Sequence, residues 1–175
     1  MTVIDAIKKR FSVRTYHNEP VDESVLSCIL EAAQYAQSAK NLQDWRFIVI
    51  RDQEKRSELS IAAKNQSFVA EAPVIIVCCG VGTDYIMTCG QHSYPIDVAI
   101  AMENMALTAH EAGLGTCWIG AFYEERVKEL LSIPKEGVRV VGMLTIGYPA
   151  VPSPQKRRKK IEDIVNYECW KDISE

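Results

Sequence analysis

P-I-D-V-A-I-A-M-E-N-M-A-L-T-A-H-E-A-G, from Pro95 to Gly113, decides what kind of fold this chain adopts. Pro95 stands where a helix tolerates proline, in its first turn, and Gly113 stands where a helix stops. Between them apolar residues run almost all round: Ile96, Val98, Ile100, Met102, Met105, Leu107 and several alanines. A helix with so little polar face is buried on most of its sides. In a chain of 175 residues, a second copy of the same chain is the ready cover for whatever side the rest of the fold leaves open.

Upstream, Val74-Ile75-Ile76-Val77-Cys78-Cys79 follows Pro73 as a continuous, β-branched-rich run. That is the pattern of a central strand buried on both faces. Phe47–Ile50 reads as a short buried strand, and Asp52 as the N-cap of a charged, exposed helix reaching about Ala63. Nearer the N-terminus, Val3 to about Arg10 is a short helix with Ile4, Ile7 and Phe11 on one side. Asp22-Glu23 opens a helix of about four turns, striped by Val25, Ile29, Ala32, Ala33 and Ala36.

Downstream, Thr116–Gly120 is a short strand, Tyr123–Leu131 an amphipathic helix and Val138–Gly147 a long strand. A Pro-rich turn, the basic run Lys156–Lys160 and a final short helix close the chain. The segment Gly80–Tyr94 is irregular, with Gly, His, Tyr and Met, and is a candidate lid or binding loop. Helices and strands interleave irregularly, so the expectation is a mixed α+β sheet in one domain, 1–175, and not a doubly wound parallel sheet.

Composition excludes several functions. Apolar residues make up 47% and charged residues 25%, the balance of a packed core and not of a disordered chain. The net charge of −3 argues against a nucleic-acid or anionic-membrane partner. The opening M-T-V-I-D-A-I-K-K-R carries an acid inside its apolar stretch, unlike a signal peptide. No run approaches the roughly 20 apolar residues of a membrane span. The six cysteines form no C-x-x-C and read as reduced thiols of a cytoplasmic protein. Cys89 and His92 form a C-x-x-H, but zinc normally needs four ligands and no second pair is evident, so no metal is expected.

Four clusters carry possible chemistry. In Arg10-Phe11-Ser12-Val13-Arg14, an extended backbone puts Arg10, Ser12 and Arg14 on one side, two guanidinium forks and a hydroxyl suited to an anion. Lys156-Arg157-Arg158-Lys159-Lys160 is a second basic cluster. Taken alone, each reads more readily as a solvated edge. Gln37-Ser38-Ala39-Lys40-Asn41-Leu42-Gln43-Asp44-Trp45 suits a ligand-touching loop, or a helix end with Trp45 in the core. Gly113 to Ala121 brackets a short strand with glycines that permit close approach, or is simply a helix stop and a core strand.

The order of these motifs resembles the nitroreductase family of FMN enzymes. R-F-S-V-R, S-A-K-N-L-Q-D-W-R-F, N-Q-S-F-V-A-E-A-P, D-V-A-I-A-M-E-N-M-A-L-T-A-H-E-A-G-L-G-T and the closing G-Y-P then K-R-R follow one another from about Ile4 to Val165. The resemblance implies a three-layer α+β fold, its mixed and mostly antiparallel sheet flanked by helices, in an intertwined homodimer with FMN at the interface. It implies that Arg10, Lys156 and Arg158 meet the phosphate, with Ser12 lining the flavin and Arg157 pointing away. Arg14 would approach the N1/O2 edge, Asn65 the pyrimidine end, and Ile119, Gly120 and Ala121 the region of N5. Gln37, Ser38, Ala39 and Asn41 would reach the partner's flavin.

The chain departs from the family at Gln37 and Asp44, where Pro is frequent, and at Gly120, where some members carry Glu. By the same resemblance, NADH or NADPH reduces the flavin at N5, and a quinone or nitroaromatic acceptor then takes the electrons in a ping-pong cycle. No side-chain acid or base is needed. Tyr85, His92 and Tyr94 are candidate substrate contacts, and His110 is a structural histidine. Other readings are a superfamily enzyme acting on a dedicated metabolite (dehalogenation, azoline oxidation or flavin breakdown), a non-catalytic flavin-binding protein, and a cofactor-free interaction domain.

Overall fold

The computed structural model describes residues 1–171. The elements are α1 (Val3–Lys9), α2 (Glu23–Gln34), β1 (Trp45–Ile50), α3 (Gln53–Ala62), α4 (Ser67–Glu71), β2 (Val74–Val81), α5 (Tyr94–Glu111), β3 (Gly115–Ile119), α6 (Glu124–Leu131) and β4 (Val138–Gly147). The strands lie in the order β1-β2-β4-β3 and pair antiparallel throughout. Parallel pairing is confined, among the described residues, to one bridge between Ser12 and Thr116 at the β3 edge. The sheet is therefore less mixed than expected.

Strand β2 organises the two layers of helices. Its residues from Val74 to Cys79 are all at most 1% exposed. Ile75, Val77 and Cys79 face a core shared with Leu59 of α3, Val69 of α4 and Val127 of α6. Val74, Ile76 and Cys78 face the opposite core, with Ile29 of α2 and Met102, Met105 and Ala109 of α5. Alternate residues of a strand point to opposite faces, so a strand apolar at every position must be covered on both sides.

Helix α5 turns Val98, Ala101, Met102, Met105, Ala106 and Ala109 to the sheet, a 3.6-residue period, and buries them completely. Its end is a Schellman motif. Leu114 N–H donates to Ala109 O and Gly113 N–H to His110 O, with Gly113 at φ +82°. Ile96 on the outward side is 41% exposed in the single chain.

Several expected elements differ. Helix α2 has twelve residues, a little over three turns, and stops before the buried Ala36. Strand β1 begins two residues earlier than Phe47, with Trp45 already buried. Helix α4 was not expected: five residues give no readable period. The final short helix is only a 3-10 turn at Ile161–Asp163 among the described residues. On α1, Ile4 and Ile7 are about half exposed and Ala6 is the buried residue. Ile4 and Ile7 of the expected stripe thus face away from this chain's own core, while Phe11 packs against it. All six cysteines are free thiols, with Cys28, Cys89 and Cys169 exposed and Cys78, Cys79 and Cys117 buried. No described helix is long and apolar enough to cross a membrane.

Candidate active site

The R-F-S-V-R segment lies along the free edge of β3. Val13 N–H donates to Thr116 O at 2.9 Å, and Ser12 bridges to Thr116. Val13 is fully buried, whereas Ser12 and Arg14 beside it are exposed. That is the alternation an extended strand imposes. Gly115 is required opposite. A Cβ there would come within 2.3 Å of Val13 Cγ2. Arg14 extends over the Phe68 ring of α4, 5.8 Å from its centroid.

Arg10 turns the other way, toward α5. Its Nε is buried, has no hydrogen-bond partner, and lies 3.9 Å from Glu103 Oε1. Lys156, 146 positions later in the chain, arrives beside it. Its ammonium donates to Lys8 O at 2.5 Å. Burial, then the charges of Arg10 and Arg158, hold the Lys156 ammonium below its usual range. Burial, then Lys156, Arg10 and Lys9, likewise depress the His110 imidazole. Cations from both ends of the sequence thus converge on the C-terminal half of α5. A buried guanidinium N–H left without an acceptor costs free energy, and an oxyanion supplies the missing acceptor.

The glycine-bracketed strand continues the same surface. Ile119 is 3% exposed, but Gly120 and Ala121 are open, and a Cβ on Gly120 would meet nothing within 4 Å. Gln66 Nε2 donates to Ala121 O at 3.2 Å and to Ala63 O at 2.7 Å. This ties the Lys64-Asn65 turn, both residues left-handed, to the end of β3. Asn65 is thus the chain neighbour of the residue that braces Ala121. Burial raises the Cys117 thiol on β3, against the opposing influence of Arg14, Ser12 and Arg10. All four groups share one neighbourhood.

The loop from Gln37 to Asn41 is held elsewhere. Ala39 N–H donates to both carboxylate oxygens of Asp97 at 3.2 Å, in the first turn of α5. Asp97 and His110 are thirteen residues apart, about 20 Å along a helix rising 1.5 Å per residue. Lys40 Nζ lies 4.5 Å from the centroid of Tyr85, which joins this loop to the Gly80–Tyr94 segment. That segment is more ordered than a shapeless lid. β2 runs on to Val81, and an Ile86–His92 bridge with Met87 N–H donating to Gln91 O forms a small hairpin. His92 and Tyr94 rings are 5.8 Å apart. Tyr94 is also packed over Gly80, where a Cβ would meet its ring at 2.4 Å.

A family model described as "Putative TM nitroreductase" matches residues 2–175. The chain belongs to the nitroreductase family. It is 36% identical over 175 residues to a Methanothermobacter thermautotrophicus protein named "Putative NADH dehydrogenase/NAD(P)H nitroreductase", covering 97% of this chain and 88% of the relative. It is 32% identical over 185 residues to a Bacillus subtilis "FMN reductase (NAD(P)H)", covering 96% of this chain and 74% of that protein. The solved structure of nitroreductase A from Vibrio parahaemolyticus superposes with a TM-score of 0.91 at 27% identity, over 99% of this chain and 79% of that one.

In this nitroreductase, sequence reading missed Gln66, which braces the end of β3, and Glu103, which faces Arg10. Neither carries a local signal. A Glu in an apolar helix marks a partner only once the first segment is docked against it.

Proposed function

We propose that this chain is an FMN-dependent NAD(P)H oxidoreductase acting on nitroaromatic or quinone-like acceptors. The observation that carries the reading is the convergence of Arg10 and Lys156 beside α5, with Arg158 close to Lys156 and the Arg10 Nε buried and lacking an acceptor. A phosphate monoester carries nearly two charges and is bound best by several charge-assisted donors. Arg10, Lys156 and Arg158 hold that phosphate, and Ser12 adds a hydroxyl. Arg14 would offer its positive charge to the pyrimidine edge of a bound flavin. Asn65 offers its amide to the same end, and Ile119, Gly120 and Ala121 line the ring. Bound FMN supplies hydride acceptance from NADH or NADPH and electron delivery to the acceptor; the protein supplies binding, orientation and field. A Cβ on Gly120 would meet nothing within 4 Å, and reductant and acceptor would reach a flavin bound there in turn, in ping-pong order.

The functional unit is a homodimer. In the single chain the loop of Gln37, Ser38, Ala39 and Asn41 is tied through Ala39 to the first turn of α5, away from Lys156 at its far end. They complete the site of the partner, together with Tyr85, His92 and Tyr94 as substrate contacts. Exposed Val3, Ile4 and Ile7 and a groove of 370 Å³ lined by Met1, Val3, Ala32, Tyr35 and Leu107 give the partner an apolar surface to cover.

The deciding experiment is the absorption spectrum of purified protein, before and after adding FMN, followed by NAD(P)H oxidation with a quinone. Flavin bands and turnover are expected. Absence of any FMN binding removes the reading. Flavin that NAD(P)H does not reduce points to a non-catalytic binder. Sedimentation at micromolar concentration is expected to show a dimer, and an FMN-bound monomer contradicts the shared site.

A further inference from the structure

Ser12 and Arg14 are presented by Val13, and Val13 has every group committed. Its N–H donates to Thr116 O at 2.9 Å, its side chain fills the space over Gly115, and its carbonyl accepts from the Tyr16 hydroxyl at 2.9 Å. The same hydroxyl is 2.7 Å from Thr145 Oγ1, which in turn is 3.3 Å from the Cys117 carbonyl. Tyr16 is 8% exposed and Thr145 fully buried, so water does not compete for these bonds.

Three contacts share two hydroxyl protons. A separation of 2.7 Å between hydroxyl oxygens holds a proton between them. Either Thr145 donates to Tyr16 and Tyr16 to Val13, or Tyr16 donates to Thr145 and Thr145 to Cys117. The first uses contacts of 2.7 and 2.9 Å, and the second needs one of 3.3 Å, long for a hydroxyl donor. The shorter set wins, and it is the set that holds the Val13 carbonyl. Burial raises the Tyr16 hydroxyl well above its usual range, so it remains a donor throughout the neutral range.

We propose that the Tyr16 hydroxyl is a positioning group for the cofactor site: by holding the Val13 carbonyl it sets where Ser12 and Arg14 stand. It touches neither cofactor nor substrate, and its role rests on the FMN reading above. The ring of Tyr16 has a separate task. It packs beside Gly147, where a Cβ would meet its Cδ1 at 2.9 Å, and that packing does not need the hydroxyl.

Two substitutions separate positioning from plain stability. Tyr16→Phe keeps the ring and removes the donor to Val13. Thr145→Val keeps the volume and leaves the Tyr16 hydroxyl with the Val13 carbonyl to donate to. Apo melting temperature, FMN dissociation constant by fluorescence quenching and midpoint potential of the bound flavin are measured for each. Both variants are expected to melt a few degrees lower. Tyr16→Phe weakens FMN binding about fivefold and makes the potential more negative, because Arg14 is less firmly held. Thr145→Val leaves affinity within about twofold and the potential unchanged. Equal loss of affinity in both variants, or none in Tyr16→Phe, overturns the proposal. If Tyr16→Phe does not fold, a fivefold loss in Thr145→Val overturns it alone. Wild-type protein that binds no FMN overturns the cofactor reading instead.

Discussion

The two ends of α5 hold their site residues by different means. At the C-terminal half, Ser12 and Arg14 flank Val13, whose backbone is bonded to β3, Arg10 caps α1 with its N–H on Ala6 O, and Lys156 is anchored through Lys8 O. At the first turn, the loop after α2 hangs from a pair of bonds between Ala39 and Asp97. It contains three left-handed residues that are not glycine: Lys40, Asn41 and Gln43 at φ 51°, 56° and 55°. Such conformations cost free energy and persist where surroundings impose them. The first region is preorganised by its own chain. The second is strained in its own chain, in keeping with a loop whose working contacts belong to a partner. Rigidity thus falls on the cationic cluster, and strain on the loop tied to the first turn of α5.

The contrast breaks most readily at Arg10. Arg10→Ala is expected to weaken FMN binding by about 1.5–3 kcal/mol, the range for losing a charged hydrogen bond. Titration calorimetry checks this, and unchanged affinity removes Arg10 from the phosphate site. Gly115→Ala tests the backbone beneath. A Cβ within 2.3 Å of Val13 Cγ2 forces the segment off β3, costing about 1–3 kcal/mol of stability by overpacking. Urea denaturation measures it, and a variant as stable as wild type shows that Val13 yields freely.

A smaller effect belongs to His110. Unfolded, its imidazole protonates near 6.5, while burial and the charges of Lys156, Arg10 and Lys9 lower that value in the fold. The unfolded chain then binds the proton more readily, so stability falls as pH drops from 6.5 through the lowered value. Melting of the cofactor-free His110→Gln variant should depend less on pH across that window. An unchanged slope places His110 outside the cationic field. The smallest effect is expected at the other end of the helix. Gln43→Gly removes one left-handed side chain and should raise stability by about 0.5 kcal/mol, read as a slightly higher urea midpoint. A loss of stability means that the bond from Gln43 Nε2 to the Asn41 carbonyl outweighs the strain.

Much of this was legible beforehand, and the misses share a cause. β4 runs from Val138 to Gly147, as its apolar run indicates, and Asp52 caps α3 by accepting from Lys55 N–H. Both are local: a strand's burial pattern and a cap's hydrogen bond are written within a few residues. Helix α4 was missed because a single turn has no period, and α2 ended early because its boundary depends on where the next loop is fastened. Arg10 and Lys156 were legible as basic residues. The uncommitted Nε beside Glu103 was not, because it exists only where three distant segments meet.

By itself, the sequence determined the element types, the double-faced burial of β2 and the apolar girth of α5, since periodicity and side-chain chemistry act over a few residues. Only the tertiary structure decided that the two basic clusters share one end of that helix while the amide loop takes the other. Charge sets what a residue can bind, but placing two cations 146 positions apart side by side depends on sheet order and docking, whose cost and reward are spread over the whole chain.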